Sequence, residues 1–538
     1  MLGVAQTSVW DGKRALWNDG TGTESDPYLI ASADNLAFLA YMVNKGYETQ
    51  GLFFRLVTNI DLNGVEGQSW EPIGLGDRLV NEDHCDRGTI DVGTSFRGHF
   101  DGGFHEISNI YVADGFTNAG LFGSVVGQEN APAVVENVFV ASGTIVGNNS
   151  GGVIGNSSFA TVSRCGNGAA VTGVSSGGIM GHATDAIINN CYNTGLVAGI
   201  VGDSGELPMV GGLVGMSQDN AQILNSYNTG EISTDDNAHC LVGYSMDGTL
   251  VIDNCHFLNS CGQSNYGTPQ EEAFMRTIEF VDLLNSENTG LVWAFDLENT
   301  NAGFPILAEN VYSISVGASP SEGGMVSGGG PLAQGTTCTL VAVANDRYVF
   351  ENWVENGEVV SSDTVYAFAV AGNRSITGTF SLESYEITAA PSPLDAGVII
   401  GEGNYLYGDT VTLIAIPNDN YVFHQWIEND AVVSDTATYV FLADHSCHVV
   451  ADFTSCANAT INSTFVEVFP NPVHDFLFVK GEGIRELTVF NTLGQVVCQV
   501  AMEGQEIAQI SLKDYEAGTY IIEVKIGNRN SLIKVLKQ

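Results

Sequence analysis

The 538-residue sequence predicts an all-β protein whose largest part is a right-handed parallel β-helix. Glycine is abundant, with 64 residues, and charged residues make up only 15% of the chain. This composition is typical of tightly turning strands rather than of helices. Short apolar motifs recur in the first half of the chain, and internal repeats are the signature of a solenoid. At this length several domains are expected.

A glycine-flanked apolar motif recurs as AGLFGS, GGVIGN, GGIMGH, GGLVGM and the degenerate HCLVGY. The last glycines of these copies, 32, 26, 34 and 28 residues apart, are Gly123, Gly155, Gly181, Gly215 and Gly243. A second motif lies between them, as VENVFVASGTIVG, VSRCGNGAAVTG, INNCYNTGLVAG and ILNSYNTGEIST, and a fifth copy, IDNCHF, follows the last glycine. One unit cannot bury its apolar face alone, so stacked coils are expected, with a stack of antiparallel hairpins as the alternative. We expect glycine and asparagine at the corners, because both tolerate a left-handed backbone.

The glycine-flanked copies resemble the GLUG-motif repeats of bacterial surface proteins. The resemblance covers about residues 20 to 308, from GTESDPYLIASADNLAFLAYMVNKG through FRGHFDGGFHEISNIYV to NAGFPIL. It implies a surface location and a solenoid architecture, without any established chemistry.

Two segments with a helical pattern are interpreted as short caps over the ends of the stack. Ser32 is a suitable N-cap for a helix through ADNLAFLAYMVNK that ends at Gly46. A second helix is expected to begin at Thr268-Pro269 and to continue through EEAFMRTIEFV. Such caps protect open strand edges from aggregation.

A tandem repeat follows the solenoid. The stretch YVFENWVENGEVVSSDTVYAF recurs as YVFHQWIENDAVVSDTATYVF, so that Trp353 and Trp426 are equivalent. Alternating apolar positions and buried tryptophans indicate antiparallel sheets. The pair resembles the divergent internalin-type B-repeats of bacterial surface proteins, which implies two small β-grasp-like spacer domains. The repeats also contain SDTV and SDTA, which resemble the O-glycosylation sequon of Bacteroidetes and make Thr364 and Thr436 candidate sites.

The C-terminal segment reads FVEVFPNPVHDFLFVKGEGIRELTVFNTLGQVV and continues to GTYIIEVKIGN and a basic last strand. This pattern predicts a seven-stranded β-sandwich. It closely resembles the type A C-terminal sorting domain of the type IX secretion system of Bacteroidetes. The resemblance implies that the segment contacts the translocon and its sortase-like peptidase, which removes it in the preceding linker. The residues that carry this signal are Pro470, Asn471, Pro472, Gly494, Gly518, Tyr520, Lys534 and Lys537.

These observations divide the chain into six parts. The predicted boundaries are 1–19 for a signal remnant or N-terminal extension, 20–310 for the β-helix, 311–382 and 383–454 for the spacers, 455–465 for a linker, and 466–538 for the sorting domain. The expected location is extracellular or attached to the outer-membrane surface, after passage through the periplasm.

The formal net charge of −44 excludes nucleic acids and anionic membranes as sensible partners. The charge is uneven: residues 460–538 carry 7 basic and 9 acidic residues, and Arg164 is the only Lys or Arg between positions 98 and 275. No apolar run reaches the roughly 20 residues that span a bilayer. Ten cysteines without a CxxC pair predict neither a disulfide scaffold nor a zinc site.

Catalytic motifs are weak, and no catalytic residue is assigned. GDSGE lacks the residues that follow a serine-peptidase nucleophile, and FHEIS lacks the second histidine of a zinc-peptidase helix. No cofactor is expected, although Asp235 and Asp236 are weak calcium candidates. Cys165, Cys191 and Cys255 occupy the same position in copies of the second motif. They are expected to form an inward ladder of thiols, with a disulfide between Cys165 and Cys191 as the alternative.

The leading hypothesis is a non-enzymatic surface protein whose β-helical head binds a glycan or a protein. Solenoids offer long faces of repeated side chains, and aromatic rings can stack on sugars. Tyr192, Tyr227 and Tyr244 recur near strand ends and are expected to be exposed contact residues, with a core or ladder role as the alternative. One alternative is a β-helical carbohydrate-active enzyme, which requires a carboxylate pair roughly 5 to 10 Å apart in a groove. The other is a purely structural surface-layer component.

Overall fold

The computed structural model describes residues 7–76, 94–232, 238–246, 249–456, 466–502, 506–527 and 529–538. Strands dominate, which confirms the all-β prediction. Among the described residues, no helix combines the length and apolar character that crossing a membrane requires.

The first part of the chain is a parallel β-helix with four sheets along its length. Successive coils add strands to these sheets in turn, and neighbouring strands in each sheet pair in parallel from one coil to the next. Along one sheet, for example, Phe122, Ile154, Met180, Val214 and Val242 are consecutive register partners. The predicted parallel β-helix is confirmed, and the antiparallel-hairpin alternative is wrong.

The strands of the β-helix are named here by sheet. Sheet 1 consists of Ser8–Val9, Ile60–Asp61, Glu106–Ser108, Phe139–Val140, Gly166–Asn167, Tyr192–Asn193, Tyr227–Asn228, His256–Leu258 and Thr268–Gln270. Sheet 2 consists of Tyr28–Ile30, Phe53–Leu56, His99–Asp101, Ala133–Glu136, Ala160–Ser163, Ile187–Asn189, Gln222–Leu224 and Val251–Asp253. Sheet 3 consists of Ile110–Val112, Asn118–Ala119, Gly143–Gly151, Ala170–Gly177, Val197–Gly199, Met209–Gly211 and Ala238–His239. Sheet 4 consists of Phe122–Val126, Ile154–Ser158, Met180–Thr184, Val214–Gln218 and Val242–Met246.

Asparagine and glycine have different roles in this winding. The corner between sheets 2 and 1 is left-handed and is occupied mostly by asparagine, with Asn137, Asn190, Asn225 and Asn254 at φ between 46° and 56°. The motif glycines are outside the left-handed region and instead allow the coils to pack closely. A Cβ on Gly181, for example, would lie 2.5 Å from a backbone oxygen of the preceding coil. The expectation of left-handed corners is therefore correct for asparagine and wrong for these glycines.

The N-terminal cap agrees with the sequence. Helix α1 spans Ala33–Asn44, and the Ser32 side chain accepts a hydrogen bond from the Asn35 backbone N–H. Its buried apolar residues include Leu36, Leu39 and Val43, the three that the sequence places on one face.

The second cap departs from the predicted single helix. Thr268–Gln270 pairs with the strand His256–Leu258 and so extends sheet 1. Two short helices follow, α2 at Glu272–Met275 and α3 at Ile278–Asn285. The break arises because the Thr277 hydroxyl caps α3, accepting from the Phe280 N–H. A 3₁₀ turn at Asn259–Cys261 precedes this cap, and an antiparallel pair, Trp293–Ala294 with Ile306–Leu307, follows it.

The tandem repeats each fold into two packed sheets, largely antiparallel, with the first and last long strands side by side in parallel. Trp353 and Trp426 are fully buried at equivalent positions. The strands of the first are Val311–Ser319, Gly324–Ser327, Gly330–Ala333, Thr337–Ala344, Tyr348–Glu355, Glu358–Ser361, Val365–Ala369 and Arg374–Leu382. Those of the second are Ser384–Ser392, Gly397–Ile400, Gly403–Leu406, Thr410–Pro417, Tyr421–Glu428, Ala431–Ser434, Thr438–Leu442 and Cys447–Ser455.

The C-terminal segment is an antiparallel sandwich with its own apolar core. One sheet consists of Glu467–Phe469, Phe476–Lys480 and Ile507–Ser511. The other consists of Val496–Ala501, Ile484–Phe490, Gly518–Ile526 and Arg529–Lys537. Most of the predicted linker, at 457–465, lies outside the described residues, as do residues 1–6 of the predicted N-terminal extension.

Candidate functional site

A groove of about 250 Å³ lies between sheet 1 and the chain segment that follows α3. Phe104, Phe139 and Tyr192 line it on the solenoid side, and Asn301 and Leu307 line it on the other side. Aromatic faces and amide groups are therefore brought together in one concave surface, as is usual for small-ligand sites.

The aromatic lining follows from the register of sheet 1. Phe139, Gly166, Tyr192 and Tyr227 are successive register partners, so they form one file along the sheet. Because Gly166 has no side chain, the Tyr192 ring covers it; a Cβ there would lie 2.5 Å from the ring. The ring centroids of Phe139 and Tyr192 are 6.2 Å apart, and those of Phe104 and Phe139 are 6.1 Å apart.

The three tyrosines selected from the sequence lie in different environments. Tyr192 is half-buried in the groove and stacks on Tyr227, with centroids 5.5 Å apart and an interplanar angle of 14°. Tyr244 is on sheet 4, 49% exposed and apart from the groove. The expected exposure is wrong for Tyr227, whose side chain is fully buried. Its hydroxyl donates to the Pro305 carbonyl at 2.6 Å and accepts from the Asn301 amide at 2.8 Å.

Burial changes the ionisation of these phenols. Removal from water raises the pKa of both Tyr192 and Tyr227, because the phenolate is poorly solvated in an apolar environment. Both side chains are thus neutral hydrogen-bonding groups over the physiological pH range. Phe104 and Phe139 were missed by the sequence reasoning. For Phe139 the signal was present, since the second motif places an aromatic residue or histidine at this position in four of its five copies.

A second candidate is a charged cluster on sheet 2. Glu136 lies between His99, 2.8 Å from its Oε1, and Arg164, 2.7 Å from its Oε2. Asp101 is the register partner of Glu136 on the neighbouring strand, and Arg55 lies 3.4 Å from its Oδ2. Asp101 and Glu136 thus occupy neighbouring positions on sheet 2, and each is held in an ion pair.

Both carboxylates belong to ion-pair networks. Hydrogen bonds from His99 and Arg164 lower the pKa of Glu136 to about 2, despite the opposing effect of partial burial. Asp101 Oδ1 accepts from the Gly103 N–H and from the Asn137 side chain, at 2.9 and 2.7 Å. Because a general acid must hold a proton near neutral pH, Glu136 is unsuited to that role.

Glu136→Gln is expected to lower the free energy of unfolding at pH 7 by about 1–2 kcal/mol. This is less than the full pKa shift would give, because the side chain is 21% exposed and its ion pairs are partly screened. The depressed pKa fixes the sign: the difference from wild type is complete above about pH 4.5 and falls as the pH drops towards 2. Urea unfolding from pH 7 to 3 measures it. A difference that is constant across this range would contradict the ion-pair role.

The remaining chemical candidates are structural or lie outside the described residues. Asp235 and Asp236 are outside them. Within the described ranges, no group of three or more His, Cys, Asp or Glu side chains is placed to hold a metal ion. The sequon residues Thr364 and Thr436 are both exposed, but their positions differ by one residue, since Thr436 corresponds to Asp363 in the first repeat.

The motif cysteines are buried free thiols. The thiols of Cys165 and Cys191 lie in adjacent coils and donate weakly to Val135 and Val162 carbonyls at 3.7 Å. Burial raises the pKa of Cys165 and raises that of Cys255 to about 12, so neither is a ready nucleophile.

Comparison with known families assigns the second half of the chain. Residues 314–384 and 386–457 each match the Divergent InlB B-repeat domain. Residues 467–538 match the Secretion system C-terminal sorting domain. The tail is a secretion sorting domain. The predicted tandem B-repeats and type IX sorting tail are confirmed, and these are repeat and sorting domains rather than enzyme families. The protein is therefore extracellular or displayed at the cell surface, and its tail interacts with the secretion machinery.

Similarity to curated proteins is partial. The chain is 32% identical over 161 residues to a putative Gly-rich membrane protein of Evansella cellulosilytica, covering 29% of this chain and 16% of the relative. It is 29% identical over 147 residues to halomucin of Haloquadratum walsbyi, covering 27% of this chain and 1% of the relative. The chain thus spans a small fraction of both relatives.

Similarity to solved structures is weak. The Bacillus anthracis TIE protein is 12% identical with a TM-score of 0.17, over 43% of this chain and 49% of that one. The Bacteroides ovatus mixed-linkage glucan utilization locus protein SGBP-B, solved with a heptasaccharide, is 12% identical with a TM-score of 0.12, over 43% and 67%. The GLUG-motif resemblance of the solenoid stays a prediction.

Of the eight residues proposed to carry the sorting signal, four are exposed on the surface of the sorting domain. Pro470, Asn471 and Pro472 form an exposed turn, and Lys534 is exposed on the last strand. The Asn471 side chain fixes this turn by donating to the Lys534 carbonyl at 2.8 Å and accepting from the Leu536 N–H at 2.9 Å. The buried members are Gly494, at φ 76°, Tyr520 and Lys537, and Gly518 is half-buried. The role of each in sorting stays a prediction.

Proposed function

We propose that this is a non-enzymatic binding protein of the cell surface, in which the β-helix is a ligand-binding head and the two B-repeats are spacers. The observation that supports the proposal is the groove on sheet 1, where Phe104, Phe139 and Tyr192 form an aromatic wall opposite Thr300 and Asn301. The same proposal includes a solenoid of the GLUG type and an origin in Bacteroidetes. It also includes removal of the sorting domain after export, with attachment of the remaining protein to a surface lipid.

The chemistry of the groove favours a neutral glycan. Aromatic faces stack on the apolar faces of sugar rings, while Asn301, Thr194 and Thr300 offer hydrogen-bonding groups at the rim. Glu106 is the charged side chain among the lining residues, and the whole chain has a net charge of −44. Uronic-acid and sulfated glycans are therefore repelled.

Tyr192→Ala is expected to weaken glycan binding roughly tenfold, because loss of one stacking ring is worth about 1–1.5 kcal/mol. Glycan-array screening of the full chain, followed by calorimetry on the best neutral ligand, measures the effect. Tyr244→Ala is the matched control, since it removes an exposed tyrosine from a different sheet.

Three outcomes separate the hypotheses. Binding that Tyr192→Ala weakens and Tyr244→Ala leaves unchanged supports the proposal. Release of shortened oligosaccharides would instead identify a carbohydrate-active enzyme. Absence of binding to every glycan and surface-protein probe would favour a structural surface-layer component.

A further inference from the structure

An apolar contact joins the second B-repeat to the sorting domain. Ile414 of the repeat and Phe490 and Ile521 of the sorting domain form one buried cluster. Ile400 and Ile416 of the repeat pack around it, together with Leu532 of the sorting domain. This cluster is separate from the internal cores of both domains.

Other groups of the two domains also approach each other at this place. The Tyr405 hydroxyl lies 3.4 Å from the Leu493 carbonyl, across the boundary between the two domains. A Cβ at Gly494 would lie 2.3 Å from the Thr412 carbonyl oxygen and 3.4 Å from the Gly401 Cα. The turn around Gly494 therefore fits against the repeat only because this position has no side chain.

The first B-repeat provides an internal comparison, because its residues are equivalent at an offset of 73 positions. Where the second repeat has Ile400, Ile414 and Ile416, the first has Ser327, Val341 and Val343. Val341 is half-buried and Val343 is 53% exposed, whereas Ile414 is fully buried. The larger apolar residues thus occur in the repeat that the sorting domain covers.

We propose that the second B-repeat is a docking platform for the sorting domain, with Ile400, Ile414 and Ile416 as the docking surface. Docking uses the outer face of the sheet that contains Phe490 and Ile521. It leaves the Pro470–Pro472 turn and Lys534 exposed, so the platform presents this side of the sorting domain to the export machinery. Burial of apolar side chains on both partners stabilises the arrangement.

The experiment measures thiol accessibility in the full chain. Ile414→Cys and Val341→Cys are made separately, and maleimide modification at each position is followed by peptide mass spectrometry. If the platform is correct, position 414 reacts at least about tenfold more slowly than position 341, since only the former is covered. Equal rates would overturn the proposal.

A matched glycine pair tests the contact without altering the apolar surface. Gly494 and Gly483 both have φ 76°, but a Cβ at position 483 would meet nothing closer than 3.7 Å. Gly494→Ala should therefore raise the modification rate at position 414 at least about tenfold, and Gly483→Ala should leave it unchanged. Equal effects of the two substitutions would overturn the proposal.

Hydrogen exchange provides a readout that needs no introduced cysteine. In the Gly494→Ala chain, peptides covering 397–417 and 486–496 should exchange faster than in the Gly483→Ala chain, with 324–344 of the first repeat as the internal reference. Unchanged exchange in both peptides would count against docking even if a cysteine variant failed to fold.

Discussion

Gly178→Ala is expected to lower the free energy of unfolding of the β-helix by about 2–4 kcal/mol. The added Cβ would lie 2.2 Å from the Asn193 Cγ and 2.4 Å from the Gly212 carbonyl oxygen. Asn193 is fully buried and has no room to move away, so either the side chain or the backbone of the next coil must shift.

The displaced asparagine belongs to a ladder inside the solenoid. Asn167 donates to Asn193 at 2.8 Å, and Asn193 donates to Asn228 at 2.9 Å. Each also donates to a carbonyl two residues further along the chain. Moving Asn193 therefore leaves buried polar groups without partners, which adds to the cost of overpacking.

Gly290→Ala is the matched control for this prediction. A Cβ at Gly290 would meet no atom within 4 Å, and the residue is not in the left-handed region, so the change should be within about 0.5 kcal/mol of neutral. Urea unfolding followed by far-UV circular dichroism measures both variants. Similar stabilities for the two would show that the glycine–asparagine packing does not hold the coils together.

Local features of the fold could be predicted from the sequence. The helix capped by Ser32 has its apolar face, N-cap and terminal glycine within one short stretch, and the structure confirms it. The spacing of the motif glycines equals the coil lengths, because each residue of a solenoid pairs with its equivalent in the next coil. The tandem B-repeats could be recognised in a similar way, because the two copies can be aligned with each other within the one sequence.

Features that depend on distant segments could not be predicted. The periodic pattern placed Tyr192 and Tyr227 at equivalent positions. It did not show that residues 274–305 fold back over Tyr227 and leave Tyr192 at the edge of a groove. Thr268–Gln270 was predicted to begin a helix, because Thr-Pro-Gln-Glu-Glu is a good local signal for a helix N-terminus. In the structure these residues instead pair with the edge strand His256–Leu258 and extend sheet 1. The contact of Glu136 with His99, 37 positions away, likewise required the register of sheet 2.

Tyr227→Ala is expected to destabilise the β-helix by about 3–5 kcal/mol, the range for removal of a large buried aromatic side chain. Its ring packs against Trp293 and Phe280, with centroids 5.3 and 6.1 Å away, and thereby joins the second cap to sheet 1. The truncation also leaves the Pro305 carbonyl without the hydroxyl that reaches it at 2.6 Å.

Tyr227→Phe separates the two contributions, because it keeps the ring and removes only the hydroxyl; a loss of about 1 kcal/mol is expected. Tyr244→Ala, which removes an exposed ring of the same type, should change stability by less than about 0.5 kcal/mol. Thermal and urea unfolding of the three variants measure the order of their stabilities. If Tyr227→Ala were as stable as Tyr244→Ala, this side chain would not hold the cap on the solenoid. The segment around Asn301, which lines the groove opposite Tyr192, would then not be fixed in place by Tyr227.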